Sequence, residues 1–201
     1  ASVVSANSGI LNAGTYTGNY TASGAADNNY DFSYVAGALT VNKKILNVTV
    51  DGQTLTYGIN VSTTPGFSYN GFISGEDASF LIAGPTVTSA LSGVQNVGTY
   101  AGNYSASGAV SNNYDFNYFS GNLIVTKKDL AVSADNKSVT YGTSIPTSTV
   151  SYSGFVNGDD ATMLDIAPTV ASSLSGIVNV GTYSGNYTIS GGLDNNYNLL
   201  Y

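Results

Sequence analysis

Short runs in which apolar and polar residues alternate follow one another along the chain, separated by Gly, Asn and Asp. Clear examples lie at 45–50, 54–57, 123–126, 130–132 and 138–141. Alternation with a period of two residues is typical of a strand with one buried face. Many of the apolar positions are β-branched, which also favours strands. The pattern predicts a mainly β protein of short strands.

The pattern itself repeats with a period of about 84 residues. Residues 92–118 match residues 8–34 at 19 of 27 positions, and residues 175–201 match residues 92–118 at 16 of 27. The period exceeds that of a solenoid repeat, which is roughly 20 to 50 residues, so each block is expected to be a domain with its own core. We predict the C-terminal part of one repeat at 1–44, a complete repeat at 45–128, and a repeat lacking its last strand at 129–201.

Two local features are expected within each repeat. Asp51-Gly52, and Asp135-Asn136 in the next repeat, separate two strand-like runs and tolerate the positive φ of a tight turn, so they predict a hairpin. The acidic segments at 75–81 and 158–164 predict one short helix per repeat, since carboxylates favour a helix N-terminus.

Tyrosine and glycine form the most constant framework of the repeats. In the Gly-Thr-Tyr segments the ring is expected to be mostly buried, with the glycine two residues later (Gly18, Gly102 and Gly185) against a ring. Since the chain has 16 Tyr in 201 residues, an exposed aromatic surface for glycans is the alternative. The predicted structural framework comprises Gly14, Tyr16, Tyr20, Tyr30, Gly98, Tyr100, Tyr104, Tyr114, Gly181, Tyr183, Tyr187 and Tyr197.

Composition excludes several classes of chemistry. The chain has no Cys and no His, so disulfides, thiol catalysis and imidazole chemistry are ruled out. Only 8% of residues are charged, and five Lys against twelve acids give a net charge of −7, which disfavours binding to nucleic acid or to an anionic membrane. We expect no catalytic residue, no metal site and no cofactor.

A few polar motifs allow a second interpretation. The acidic loops at 75–77 and 158–160 have oxygen ligands suitable for calcium, but capping of a helix is the simpler interpretation. Asn19, Asn103 and Asn186 begin glycosylation sequons, although strand alternation also explains them. The Lys pairs 43–44 and 127–128 lie at the predicted boundaries between repeats, where exposed charge would resist edge-to-edge pairing.

Several short motifs recur in one order: Thr-Tyr-Gly at 56–58 and 140–142, an aromatic-Gly segment at 69–75 and 152–158, Gly-Thr-Tyr, and Asn-Asn-Tyr. In this order the chain resembles the bacterial MBG domain of the Tyr-Gly type over nearly its whole length. The resemblance implies tandem β-grasp-like domains, with Ig-like β-sandwich repeats as the alternative. It also implies a tandem module of large bacterial surface or secreted adhesins.

We therefore expect a non-catalytic stalk or fibre module of a bacterial extracellular adhesin or surface filament, which provides reach, adhesion or biofilm cohesion. A repeated carbohydrate- or protein-binding module that acts by avidity is the alternative. The expected partners are neighbouring repeats, or like subunits joined head to tail by strand addition, and conceivably glycans or a host or matrix surface. Nucleic acid and membrane insertion are not expected, and the expected location is extracellular or the bacterial cell surface.

Overall fold

The computed structural model describes residues 1–201 and confirms a mainly β protein. None of its helical segments has the length and apolar character needed to cross a membrane. The strands form five sheets, in the orders β1-β2-β3, β5-β10-β8-β7, β12-β11-β15, β13-β14 and β6-β4-β9. The strands are β1 (Ser2–Ser5), β2 (Gly14–Ser23), β3 (Gly37–Val41), β4 (Lys44–Val50), β5 (Gln53–Thr56), β6 (Phe67–Asn70), β7 (Thr86–Ser89), β8 (Gly98–Ser107), β9 (Tyr114–Phe119), β10 (Gly121–Thr126), β11 (Lys128–Ala134), β12 (Val150–Ser153), β13 (Thr169–Ser172), β14 (Tyr187–Ser190) and β15 (Tyr197–Leu200).

The expected short helices are single 3-10 turns, Ala78–Phe80 and Ala161–Met163, and none of their residues is buried. Asp77 caps the first turn by accepting from Ser79 N at 2.8 Å. The turn then stops, because Leu81 has returned to extended backbone with ψ 144°. A β-grasp-like arrangement needs a helix packed across the sheet, so this detail of the predicted fold is not supported.

The expected hairpin at Asp51-Gly52 is wrong, because β4 and β5 belong to different sheets. Both strands pair in parallel with later strands: Lys44 faces Tyr114, and Gln53 faces Leu123, so the partner lies 70 residues further along in each case. The segment between β4 and β5 therefore continues in the same direction rather than reversing. Turn-forming residues serve here at a change of sheet.

A close approach of two backbones explains the glycine at this crossing. A Cβ added to Gly121, between β9 and β10, would lie 2.4 Å from Asp51 O. Backbone atoms cannot move aside as a flexible side chain would, so only glycine fits. The second predicted hairpin is also absent, since Asp135 N donates to Thr149 O at 2.9 Å and no strand follows at 137–140.

Two compact units make up the structure. The first contains Ala1–Asp51, Thr64–Thr88 and Tyr104–Gly121, and the second contains Gly52–Thr63, Ser89–Asn103 and Asn122–Tyr201. Each unit thus includes segments from both sides of a predicted repeat boundary, and the boundaries themselves stay a prediction. The buried apolar residues of the first unit include Leu46, Val48 and Tyr114, and those of the second include Leu123, Val125, Leu130, Val132 and Tyr197.

Candidate interface between repeats

Tyr57, in the Thr-Tyr-Gly motif of one repeat, contacts residues of the next repeat within the second compact unit. Its ring meets that of Tyr197 edge to face, with centroids 5.4 Å apart. Its hydroxyl donates to Asp159 Oδ2 at 3.0 Å. The backbone holds the ring in place, because Tyr57 N donates to Thr126 O at 2.8 Å directly after β5. Only 8% of Tyr57 is exposed.

Asp159 accepts two tyrosine hydroxyls, since Tyr197 also donates to its Oδ2, at 2.8 Å. Val156 N in turn donates to the Tyr197 hydroxyl at 3.0 Å. Burial, which disfavours the charged phenolate, is the main reason that the pKa of Tyr197 rises to about 12. Burial, followed by the hydrogen bond to Asp159, also raises the pKa of Tyr57. Both hydroxyls are therefore kept as donors to one carboxylate.

Gly58 completes this contact by letting the chain approach the next repeat closely. It has φ +97°, and a Cβ added there would lie 2.6 Å from Val156 Cγ2. Valine has few alternative rotamers with which to avoid such a clash. Tyr-Gly is thus a pair with one purpose: the ring fills the space above Tyr197, and the glycine allows the backbone to rest on Val156.

The Asn-Asn-Tyr loop forms a second contact between repeats, and it occurs twice. Asn196 Oδ1 accepts from Val97 N at 2.9 Å, and Asn196 Nδ2 donates to Asn96 Oδ1 at 3.1 Å. In the first unit, Asn113 accepts from Ala13 N at 2.9 Å and donates to Asn12 Oδ1, also at 2.9 Å. Each loop therefore binds the segment before Gly-Thr-Tyr of the preceding repeat in the same way.

The first lysine of each pair adds a third contact. Lys43 Nζ donates to Ser111 O at 2.8 Å, and Lys127 Nζ donates to Asp194 O at 2.6 Å. Both side chains are exposed, as predicted, but they also hold the loop that carries Asn-Asn-Tyr. The single ion pair, Lys43 with Asp115 at 3.7 Å, is solvated and contributes little.

Comparison with known proteins is consistent with this set of motifs. A family model described as the MBG domain, YGX type, matches residues 46–124 and 130–201. The chain belongs to the MBG domain family. Each matched range contains one of the Tyr-Gly pairs, at 57–58 and 141–142. No curated protein and no solved structure matches the chain.

The Gly-Thr-Tyr tyrosines of the MBG repeats are less buried than expected. Tyr16 and Tyr100 are half-buried and Tyr183 is 43% exposed. The reason is that each hydroxyl reaches back to a backbone carbonyl four residues earlier, Asn12 O, Asn96 O or Asn179 O, at 2.8 to 2.9 Å. The rings of Tyr100 and Tyr183 lie over Gly98 and Gly181. A Cβ at Gly18 or Gly185 would have nothing within 4 Å, so the predicted ring contact there is wrong.

The other framework residues divide between core and surface. Tyr104, Tyr114 and Tyr197 are buried, and Tyr187 is half-buried with its hydroxyl on Pro146 O at 2.9 Å. Tyr20 and Tyr30 are exposed. Gly14 has φ +155°, close to extended backbone.

The polar motifs mainly have structural partners. Glu76 accepts from the Tyr114 hydroxyl at 2.5 Å, as Asp159 does from Tyr197. Hydrogen bonds from Ser79 hold the pKa of Asp77 below its usual value, in keeping with the capping interpretation. The sequon residues Asn19, Asn103 and Asn186 are buried, and each side chain accepts a hydrogen bond from a backbone N–H, of Asn7, Leu91 and Leu174 respectively. Their amides are therefore shielded from a glycosylating enzyme in the folded chain.

Sequence reasoning missed the role of Tyr57, Asp159 and Asn196, although all three lie in motifs that it had singled out. The available signal was their recurrence: Thr-Tyr-Gly, the acid and Asn-Asn-Tyr are present in every complete period. Recurrence alone does not show which neighbour a residue contacts. That information requires the parallel pairing that brings residues about 100 positions apart together.

Proposed function

We propose that this chain is a non-catalytic stalk or fibre module in which each repeat locks onto the next. The observation that carries the proposal is the Asn-Asn-Tyr contact, because Asn113 and Asn196 bind equivalent segments of the preceding repeat with equivalent hydrogen bonds. A contact that recurs with the sequence period can propagate along an array of any length. Arrays of this kind provide reach rather than a single reaction centre.

The side chains at this interface support a structural role. Asp159 is the only carboxylate in the Tyr57 contact, and two hydroxyls already donate to it. A catalytic constellation needs a nucleophile and a base with access to substrate, whereas these groups are enclosed by neighbouring rings. The neighbouring repeat is thus the partner proposed for this surface.

The proposed setting is the outside of a bacterial cell, where the module would hold an adhesive or cohesive region away from the surface. Membership of the MBG family supports this setting, together with the absence of cysteine and the low content of charged residues. Labelling of intact producing cells with an antibody against the repeats should detect the protein. Detection only after lysis would contradict the proposed location.

Insertion of whole periods tests the stalk directly. A second and a third copy of residues 45–128 are inserted after Lys128, so that each new boundary has the native sequence. Small-angle scattering should show a maximum dimension that grows by a constant increment for each inserted period. Growth with roughly the 0.4 power of chain length, as for a single compact domain, would contradict the proposal.

A repeated saccharide-binding surface is the second candidate, and one feature favours it. Phe116 stacks on Tyr118 with centroids 6.2 Å apart, and the equivalent Phe32 and Tyr34 stack at 6.5 Å. Tyr34 and Tyr118 are exposed, and sugar rings stack on such faces. If this surface binds glycans, Tyr118→Ala should abolish retention on a glycan array while the protein stays folded. Unchanged retention would exclude it.

A further inference from the structure

The Tyr-Gly pair has a second copy in the chain that contacts nothing of the kind that surrounds the first. Tyr141 and Gly142 occupy the positions of Tyr57 and Gly58 in the next period. Tyr141 is 67% exposed, and a Cβ added to Gly142 would have nothing within 4 Å, although its φ of +93° matches that of Gly58. The residues are thus in the conformation that makes the internal contact, but without the contact.

The segment before Tyr141 is equally open. The internal equivalent, β5, pairs in parallel with β10, whereas residues 137–140 belong to no strand. They border an open groove of about 570 Å³, whose opposite wall is formed by 180–187. Internally, the equivalents of these two walls are β5 and the start of β8, and β10 lies between them. The groove has the position of a missing strand.

The first compact unit presents the complementary surface. Its strand β3 has the sequence Gly-Ala-Leu-Thr-Val, one period before the Gly-Asn-Leu-Ile-Val of β10, and it lies at the edge of its sheet. Leu123 and Val125 of β10 are buried beneath the internal sheet, but the equivalent Leu39 and Val41 are only half-buried. The outer edge of β3 corresponds to the edge at which β10 binds β5.

The same unit also holds a counterpart of the pocket that receives Tyr57. Phe72, Ile73, Glu76 and Tyr114 take the places of Phe155, Val156, Asp159 and Tyr197. Phe72 and Tyr114 meet edge to face at 5.3 Å, as Phe155 and Tyr197 do at 5.3 Å. Glu76 accepts the Tyr114 hydroxyl, and the unit contains no equivalent of Tyr57 to be the second donor.

From these two open halves of one contact, we propose that residues 137–141 of one molecule add as a parallel strand to the outer edge of β3 in a second copy. The internal register, Thr54 opposite Ile124, places Ser138 opposite Thr40. Tyr141 then lies on Tyr114 and donates to Glu76, and Gly142 rests on Ile73. The occupant is a second copy because both the strand and the pocket match the internal contact residue for residue.

Strand addition of this kind supplies main-chain hydrogen bonds for affinity and a side-chain pocket for specificity. The two surfaces are different, so each molecule offers one of each, and the contact is heterologous and can continue along a filament. The inference rests on the proposed function and adds to it a means by which separate chains join end to end.

Disulfide trapping tests the register, and the absence of native cysteine makes it specific. A Ser138→Cys chain is mixed under oxidising conditions with a Thr40→Cys chain that carries a tag, so that mixed and homodimeric products differ in mass. Neighbouring strands bring paired Cα atoms within the range of about 4.4 to 6.8 Å that a disulfide spans. The control replaces Thr40→Cys by Asn28→Cys, which is equally exposed and lies outside β3.

The mixed dimer should form at least about tenfold faster with Thr40→Cys than with Asn28→Cys, because docking raises the effective concentration of the paired thiols. Adding Tyr141→Ala to the Ser138→Cys chain should reduce the rate to that of the control. Equal rates with both partners would overturn the inference. Since inserted periods are joined within one polypeptide, constant growth in the scattering experiment alongside equal trapping rates would overturn only this inference and leave the stalk in place.

Discussion

Tyr57 carries more of the contact between repeats than any other side chain, because it combines buried area with a charge-assisted hydrogen bond. Its ring meets Tyr197, and its hydroxyl shares Asp159 with that residue. The two kinds of interaction can be separated by substitution, since phenylalanine retains the ring and alanine removes both.

Tyr57→Ala should lower the free energy of unfolding by about 3 to 5 kcal/mol, the usual cost of truncating a large buried aromatic. Tyr57→Phe should lower it by about 1.5 to 3 kcal/mol, the scale of a hydrogen bond to a charged group. Urea unfolding followed by circular dichroism measures both. Tyr30→Ala, at an exposed tyrosine, is the control and should stay within about 0.5 kcal/mol of the parent. A loss below about 1 kcal/mol for Tyr57→Ala would show that the ring adds nothing to the contact.

The raised pKa of Tyr197 predicts an alkaline limit to stability. Its folded pKa of about 12 lies above the ordinary value of 10.0, so the folded chain retains the proton more strongly than the unfolded chain. Its contribution is therefore complete below pH 10 and is lost as the pH rises towards 12. The urea midpoint should fall across this interval, and Tyr197→Phe should make the fall shallower. A pH profile identical to that of the parent would contradict this role for Tyr197.

At the residue scale, the sequence predicts which positions matter better than it predicts what they contact. The framework tyrosines Tyr104, Tyr114 and Tyr197 are in the core, but Tyr100 and Tyr183 are not. A hydroxyl bond to a carbonyl four residues earlier, which keeps a ring near the surface, leaves no trace in strand alternation. The buried sequon asparagines were ambiguous for a similar reason, because Asn at an outward-looking position can turn inward towards loop amides.

Among the strands, the crossing between β4 and β5 departs most from expectation. Asp51-Gly52 has the composition of a hairpin turn, but the 70-residue parallel register carries the chain straight on. Local turn chemistry cannot reveal a partner so distant in sequence, whereas the mainly β class follows from alternation alone. The β-grasp detail failed because a capped acidic segment is compatible with either an α-helix or a single 3-10 turn.

Gly121→Ala tests the crossing and has a matched control one period earlier. A Cβ at Gly121 would lie 2.4 Å from Asp51 O, whereas at the equivalent Gly37 the nearest atom, Tyr20 Cβ, is 3.4 Å away. Gly121→Ala should therefore cost about 1 to 3 kcal/mol, as for other overpacked sites. Gly37→Ala should cost no more than about 0.5 kcal/mol. Equal effects in urea unfolding would show that β4 and β9 do not cross as described.

The two Tyr-Gly pairs provide a second matched comparison. Gly58 and Gly142 have nearly the same positive φ, so alanine introduces similar backbone strain at both, and only Gly58 faces Val156. Gly58→Ala should be the more destabilising by about 1 to 3 kcal/mol. Val156→Ala, combined with Gly58→Ala, should recover part of that difference. A loss no larger than that of Gly142→Ala would mean that the close approach to Val156 is not maintained in solution.

For the whole molecule, the period of the sequence and the organisation of the structure describe the same array at different phases. The family models match residues 46–124 and 130–201, and each compact unit combines segments of successive repeats. The period and the family could be predicted from recurring motifs. The contacts between repeats could not, because identical motifs would serve equally well inside one isolated domain.

The central claim is that Tyr57 of one repeat is energetically coupled to Asp159 of the next, and a double-mutant cycle measures this directly. The variants are Tyr57→Phe, Asp159→Asn and their combination, each unfolded in urea in the full chain. We predict a coupling energy of at least about 1 kcal/mol, as expected for residues in one hydrogen-bond network. Additivity within about 0.3 kcal/mol, the behaviour of independent sites, would contradict the account.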